Sequence, residues 1–259
     1  KVYLGNRQFY LDSTSQDYRY PYFRMDDHGA VAFNSIKGEY ETIPVPPPEA
    51  NQRDSRLDMV LHRNGDLDVR TQNKYTGSIE AGIRGFWKQT RPDNRPYIMA
   101  NYVNSLSPGA KLDDFTLSDL DTLDEQVQMR IDYTIPNHAV RARKLMYLRI
   151  PTLERDFPEA ALETRQYPIQ YMTTEERILA IDLHLPRGYR AKWLPPALTI
   201  DNPHLTYRAG YEEQNGVIRF HQEFRRTSRI IPVADYSAYR DALRAIAEFT
   251  QKEIFLTEE

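Results

Sequence analysis

The groups of this 259-residue chain that could do chemistry are six histidines, 37 Asp plus Glu residues and an aromatic set of Tyr 18, Phe 10 and Trp 2. Cysteine is absent altogether. That removes thiol nucleophiles, disulfides, Cys-ligated zinc and iron–sulfur clusters together. The histidines are His28, His62, His138, His184, His204 and His221. No two of them stand four residues apart on an expected helix, and there is no H-E-x-x-H, so a zinc-protease site is not expected. A serine-nucleophile elbow, a Walker loop and a dinucleotide fingerprint are missing too. Among so many carboxylates some pair always mimics a glycosidase dyad, and only spatial separation gives such a pair meaning. No metal and no cofactor are expected.

The densest aromatic cluster is Tyr18, Tyr20, Tyr22 and Phe23, interrupted by Arg19 and Pro21. Rings of this kind stack on sugars or grip peptides, with the phenol adding a hydrogen bond. Tyrosine is equally a good strand residue with one wet end, so the cluster has a packing reading beside the binding one. Asp12, followed by Ser13 and Thr14, reads locally as a turn-capping carboxylate that accepts from the next backbone amides.

Strands must position most of these groups. Val127, Met129, Ile131, Tyr133 and Ile135 alternate with polar residues, as do Leu179, Ile181, Leu183 and Leu185. Such period-2 runs predict antiparallel strands with one wet face. Asn64-Gly65 and Asn215-Gly216 mark two hairpins. In the first, a three-residue loop, Arg63 to Gly65, sets Leu61 opposite Leu67, and a two-residue loop would set it opposite Asp68. A left-handed Gly65 beside a bulge is therefore predicted. The second hairpin joins Leu205–Glu212 to Val217–Phe224.

Helices are few. Ser78 to about Thr90 offers Ile79, Ile83, Phe86 and Trp87 as an inner face, although Gly82 and Gly85 each cost a helix about 1 kcal/mol. A second helix from Pro96 carries Met99, Tyr102, Val103 and Leu106 and stops at Ser107-Pro108-Gly109. The third carries Tyr239, Leu243, Ile246 and Phe249 as one stripe behind a capping Asp235. Leu153–Leu162 reads as a polar helical turn within a long connection. The proline run Ile43–Pro48 is the best boundary, since prolines make a stiff, extended spacer.

Net charge is −3 with a pI near 6.1, so nucleic acid is not an expected partner. No apolar run approaches the roughly 20 residues of a spanning helix, so no membrane span is expected. The chain begins at Lys1 with neither initiator Met nor signal peptide, and a processed protein or a cut piece is expected.

Order and spacing at the N-terminus carry a family resemblance. Phe9-Tyr10-Leu11-Asp12-Ser13-Thr14 resembles the last catalytic-domain strand of bacterial transglutaminase-like proteins, which ends in an aromatic-x-x-Asp-x-Thr pattern. Tyr22-Phe23 and Gly29-Ala30-Val31-Ala32-Phe33 resemble the strand pair that closes that domain. The proline run and "LDMVLHRNGDLDV" (57–69) are similar to the start of the β-rich domain that follows it. So are "YTGSIEAGIR" (75–84), "LHLPRGYRAKWLP" (183–195) and the helix-then-strand ending at 236–256. The resemblance implies a papain-like fold using Cys, His and Asp, with Asp12 as the carboxylate that orients the His.

The cysteine is not in this chain, so the resemblance implies a chain inert in acyl transfer on its own. The fold class expected is mainly β: an antiparallel β-sandwich with two or three helices, preceded by terminal strands of a transglutaminase-like domain. The expected division is 1–45, 46–165 and 166–259. The N-terminal strands would be edges covered by the missing catalytic part or another chain, and the β-domain would position a protein or peptide substrate. The rival expectation is a free-standing carbohydrate- or peptide-binding module acting through Tyr18, Tyr20, Tyr22 and Phe23. The resemblance alone suggests a periplasmic or envelope setting.

Overall fold

The computed structural model describes residues 1–5 and 7–259. Four short strands open the chain: β1 (Val2–Leu4), β2 (Arg7–Phe9), β3 (Val31–Asn34) and β4 (Glu39–Thr42). They form two separate antiparallel pairs, β1 with β2 and β3 with β4. Tyr22 and Phe23, expected in a strand, lie in irregular backbone after a turn.

After the prolines come β5 (Gln52–Leu61), β6 (Leu67–Tyr75), α1 (Gly77–Gln89), α2 (Arg95–Leu106), β7 (Lys111–Leu117) and β8 (Gln128–Ile135). Then follow β9 (Val140–Ala142), β10 (Leu145–Leu148), β11 (Ile169–Gln170), β12 (Glu175–His184), β13 (Tyr189–Trp193) and β14 (Leu198–Asn202). The chain ends with β15 (Leu205–Gln214), β16 (Val217–Arg226), β17 (Ile230–Ile231), α3 (Tyr236–Thr250) and β18 (Ile254–Glu258). The protein is mainly β, with three α-helices and several antiparallel sheets, as the alternating sequence patterns require.

One eight-stranded sheet dominates, in the order β14-β15-β16-β12-β5-β6-β8-β7. Its strands come from both sides of residue 165, and β12 lies parallel to β5 at the join. Both predicted turns are present. Leu61 pairs with Leu67, and Gly65 has φ +96°, because His62 N–H also bonds to Asp66 across a three-residue loop. Asn215 and Gly216 both have positive φ, closing a two-residue turn between Gln214 and Val217.

Alternation gives the sheet one apolar face. Leu57, Met59 and Leu61, Leu67 and Val69, Ile131 and Tyr133, and Leu179, Ile181 and Leu183 are all buried on it. The smaller sheet β13-β18-β10-β9 supplies Met146, Leu148, Ile254 and Leu256 to the same core. α3 lays Phe249 against Tyr207, Tyr211 and Phe220, and α2 contributes Met99 and Val103.

The helix α1 buries Trp87 and packs Ile79 and Ile83 against the core as its spacing predicts, but it leaves Phe86 out and adds two charged residues to the inner face. Glu80 and Arg84 are buried, and Phe86 is half exposed. Arg84 bonds to Glu80 Oε1 at 2.8 Å and to the carbonyls of Leu120, Thr122 and Glu125, so one guanidinium closes the 118–127 connection. A buried charge is tolerated only when satisfied in this way. Gly77 starts the helix at φ +65°, and a Cβ there would lie 1.9 Å from the Ala50 carbonyl oxygen. Asp235 stands before α3 without a side-chain cap, because its carboxylate instead accepts from His204 Nε2 at 2.8 Å. Within 153–162 only Pro158–Ala160 forms a helical turn, of 3-10 type.

Candidate functional site

The second face of the large sheet is open. Every other residue of its strands points there: Asp54, Arg56 and Asp58 from β5, Ala180 and Asp182 from β12, Arg219 and His221 from β16, and Arg208, Gly210 and Glu212 from β15. Its charges partly pair with each other. Arg219 reaches Asp182 at 3.6 Å, Arg70 reaches Asp132 at 3.3 Å, and His184 Nε2 reaches Asp58 at 3.2 Å. Such exposed pairs contribute about 0–1 kcal/mol each.

The strand register lines up Gly210, His221, Ala180 and Arg56 as direct neighbours across four strands. Two of the four carry little or no side chain, so the row is a trough. It opens into a cleft of about 930 Å³, walled by Thr199 and Arg208 on one side and Asp182 and Glu212 on the other. Among the described residues Arg56 and Arg208 make no ion pair, so their donors face the cleft unclaimed. No group of three His, Cys, Asp or Glu able to hold a metal occurs among the described residues. The trough lining holds no cysteine, serine or lysine. Its chemistry is hydrogen bonding and charge recognition, suited to a chain lying across the strands.

The N-terminal candidates lie elsewhere. Asp12 closes a local turn: its Oδ1 accepts from Thr14 N–H at 2.9 Å and Thr14 Oγ1 at 2.7 Å, with Arg24 3.6 Å away. None of the hydrogen bonds of the described histidines reaches it. The four rings meet different partners. Tyr20 is exposed and meets Phe9 edge-on at 5.9 Å. Tyr22 lies under Arg19, Phe23 packs edge-on against His28, and Tyr18 accepts from Met25 N–H.

Buried polar contacts fasten this segment to the sheet domain. Arg19 donates to both carboxylate oxygens of Glu80. His28 Nδ1 lies 2.8 Å from Thr173 Oγ1, which also accepts from Asn51 Nδ2. Asn51 Oδ1 in turn caps Ser78 N–H at the start of α1. Burial pushes the His28 imidazole below its ordinary pKa, so it stays neutral in this seam. His62, His138, His184 and His204 are struts of the sheet domain, His204, for example, bridging Ser228 and Asp235, and His221 stands in the trough.

Sequence reasoning missed the trough. One signal was there, the polar residues on alternate positions of β5; the glycine inside β15 lies where Ala197 approaches closely.

Comparison with known proteins adds a family and one distant structure. The family described as "Domain of Unknown Function with solved-structure structure (DUF3858)" matches residues 144–256. No curated protein matches. Three solved chains match; one is a protein of Parabacteroides distasonis described as a "putative protease", 10% identical, with a TM-score of 0.38. That match covers 44% of this chain and 23% of the other, so the chain spans less than a quarter of that protein's length.

Proposed function

We propose that this chain is the accessory β-domain portion of a transglutaminase-like protein, with a trough that positions a protein or peptide substrate or partner. The uncovered row Gly210–His221–Ala180–Arg56 carries this reading. An extended polypeptide needs a smooth floor with donors at intervals, and this row provides one on a rigid sheet.

The chain is inert in acyl transfer by itself, since no cysteine is present to attack a carbonyl. Two features support a further partner at the N-terminal pairs. Isolated two-stranded pairs are marginal in water, and Val31, Phe33 and Tyr40 on the β3–β4 pair are 69%, 59% and 77% exposed. The upstream catalytic part or another chain covers them, and Asp12 orients a His supplied from there. The setting is the periplasm or cell envelope, which fractionation of cells expressing the intact protein tests.

The experiment places a photo-cross-linking residue at Thr199 or Glu212, beside the trough, in the full-length protein, with Tyr97 on α2 as the control position. The acyl-acceptor protein should be captured from the trough positions and not from Tyr97. Equal capture at all three would overturn the reading. The purified 259-residue chain should show no amide exchange or hydrolysis, and turnover by it would overturn the inert assignment.

A further inference from the structure

Polar residues also break the covered face of the large sheet. The inward positions run Arg53, Ser55, Leu57 on β5 and Thr71, Asn73, Tyr75 on β6, so the apolar pattern fails where these two strands pair. Ser55 Oγ donates to Asn73 Oδ1 at 2.7 Å. That leaves the Asn73 Nδ2 group without a partner, on a residue only 1% exposed. Tyr133 OH, equally buried, has the Thr71 side chain nearby but makes no well-formed hydrogen bond, and Thr152 Oγ1 makes none. Burial holds the Tyr133 phenol protonated, with its pKa pushed up, so it remains a donor. Unpaired groups at this depth are rare and costly unless something fills them.

All these atoms belong to residues lining one cavity of about 230 Å³, between the sheet, Tyr102 of α2 and the Thr152–Glu154 segment. A single water needs about 10–15 Å³ of such space, so there is room for an organic molecule. The charge of the wall is one-sided. Parallel pairing sets Arg53 directly beside Arg177. Arg177 is ion-paired with Glu154 and Glu175, and Glu154 is the one carboxylate in the lining. Arg53 makes no ion pair among the described residues. Water would satisfy the neutral donors but would leave Arg53, beside the Tyr102 phenol, with only the more distant Glu154 carboxylate that Arg177 already holds.

We propose that the cavity binds a short-chain carboxylate carrying a second hydrogen-bond acceptor, such as a dicarboxylate, with Arg53 holding one end and the donors of Asn73 and Tyr133 serving the rest. The ligand enters past the partly exposed Glu154–Arg177 pair. This site is separate from the open-face trough and stands whether or not that trough seats a substrate.

The probe is glutarate, followed by calorimetry and by amide chemical shifts of the 15N-labelled chain. Glutarate should bind and move the amides of Ser55, Thr71, Asn73 and Tyr133, and 1,5-diaminopentane should do neither. Arg53→Gln should weaken glutarate at least tenfold, and Ala180→Arg on the open face should leave it unchanged. If Arg53→Gln does not fold, the shift map of the unmodified chain decides. No glutarate binding, full binding by Arg53→Gln, or shifts confined to the open face would each overturn the proposal, the first by showing a cavity filled with water only.

Discussion

The two faces of the eight-stranded sheet are built from the same strands, offset by one residue, and they obey different rules. Met59 is fully buried, and Val60, the next residue, is 38% exposed. On the covered face nearly every position is apolar and in contact, and its polar exceptions concentrate around one cavity. On the open face most positions are polar, ion pairs are loose, and among the apolar exceptions Ala180 and Gly210 carry little or no side chain. Period-2 geometry thus separates folding from recognition within a single strand. On each face the candidate site lies where the local rule fails.

The largest expected effect sharpens the contrast between buried and exposed charge. Arg84→Met should remove about 3–5 kcal/mol, because it breaks the buried ion pair, leaves the Leu120, Thr122 and Glu125 carbonyls without their donor, and leaves Glu80 with Arg19 alone as counter-charge, and urea unfolding reads the loss. Arg219→Met on the open face should change stability by less than about 1 kcal/mol. Next comes the neighbouring apolar pair. Met59→Ala should lose about 2–5 kcal/mol, and Val60→Ala no more than about 0.5 kcal/mol. Equal losses at 59 and 60 would break the two-face description.

A smaller effect concerns acid. Burial depresses the pKa of both His28 and His138. Below the ordinary histidine pKa of about 6.5, the unfolded chain takes up protons that the folded chain resists. Stability should therefore fall as pH drops beneath that value, and the fall should end only below the folded pKa. Melting temperatures from pH 8 to pH 5 measure it, and His28→Gln should flatten the slope. An unchanged slope would show that the seam to Thr173 tolerates a charged imidazole.

Much of the fold was legible in the sequence. The β8 and β12 alternations, both Asn-Gly turns and the α3 stripe depend on local periodicity, and local periodicity is what a sequence displays. The charged part of α1's inner face was not legible, because Glu80 and Arg84 are buried by partners far along the chain, in the 118–127 connection and at Arg19. Asp235 has the position of a cap, and nothing local signals that His204, 31 residues earlier, claims its carboxylate. The trough was legible only as the polar alternation of β5, and the cavity only as an anomaly: Ser55, Thr71 and Asn73 on an otherwise apolar face. Their meaning depends on which strands become neighbours, and the parallel β5–β12 contact joins residues more than 120 positions apart.

The most direct test of substrate positioning is steady-state kinetics of the full-length protein with Ala180→Arg, which fills the middle of the trough. KM for a protein acyl acceptor should rise roughly tenfold or more, a loss of at least about 1.4 kcal/mol of binding. Turnover of a small glutamine amide and the melting temperature should be unchanged. An unaltered KM for the protein acceptor, in a folded and active variant, would contradict the account.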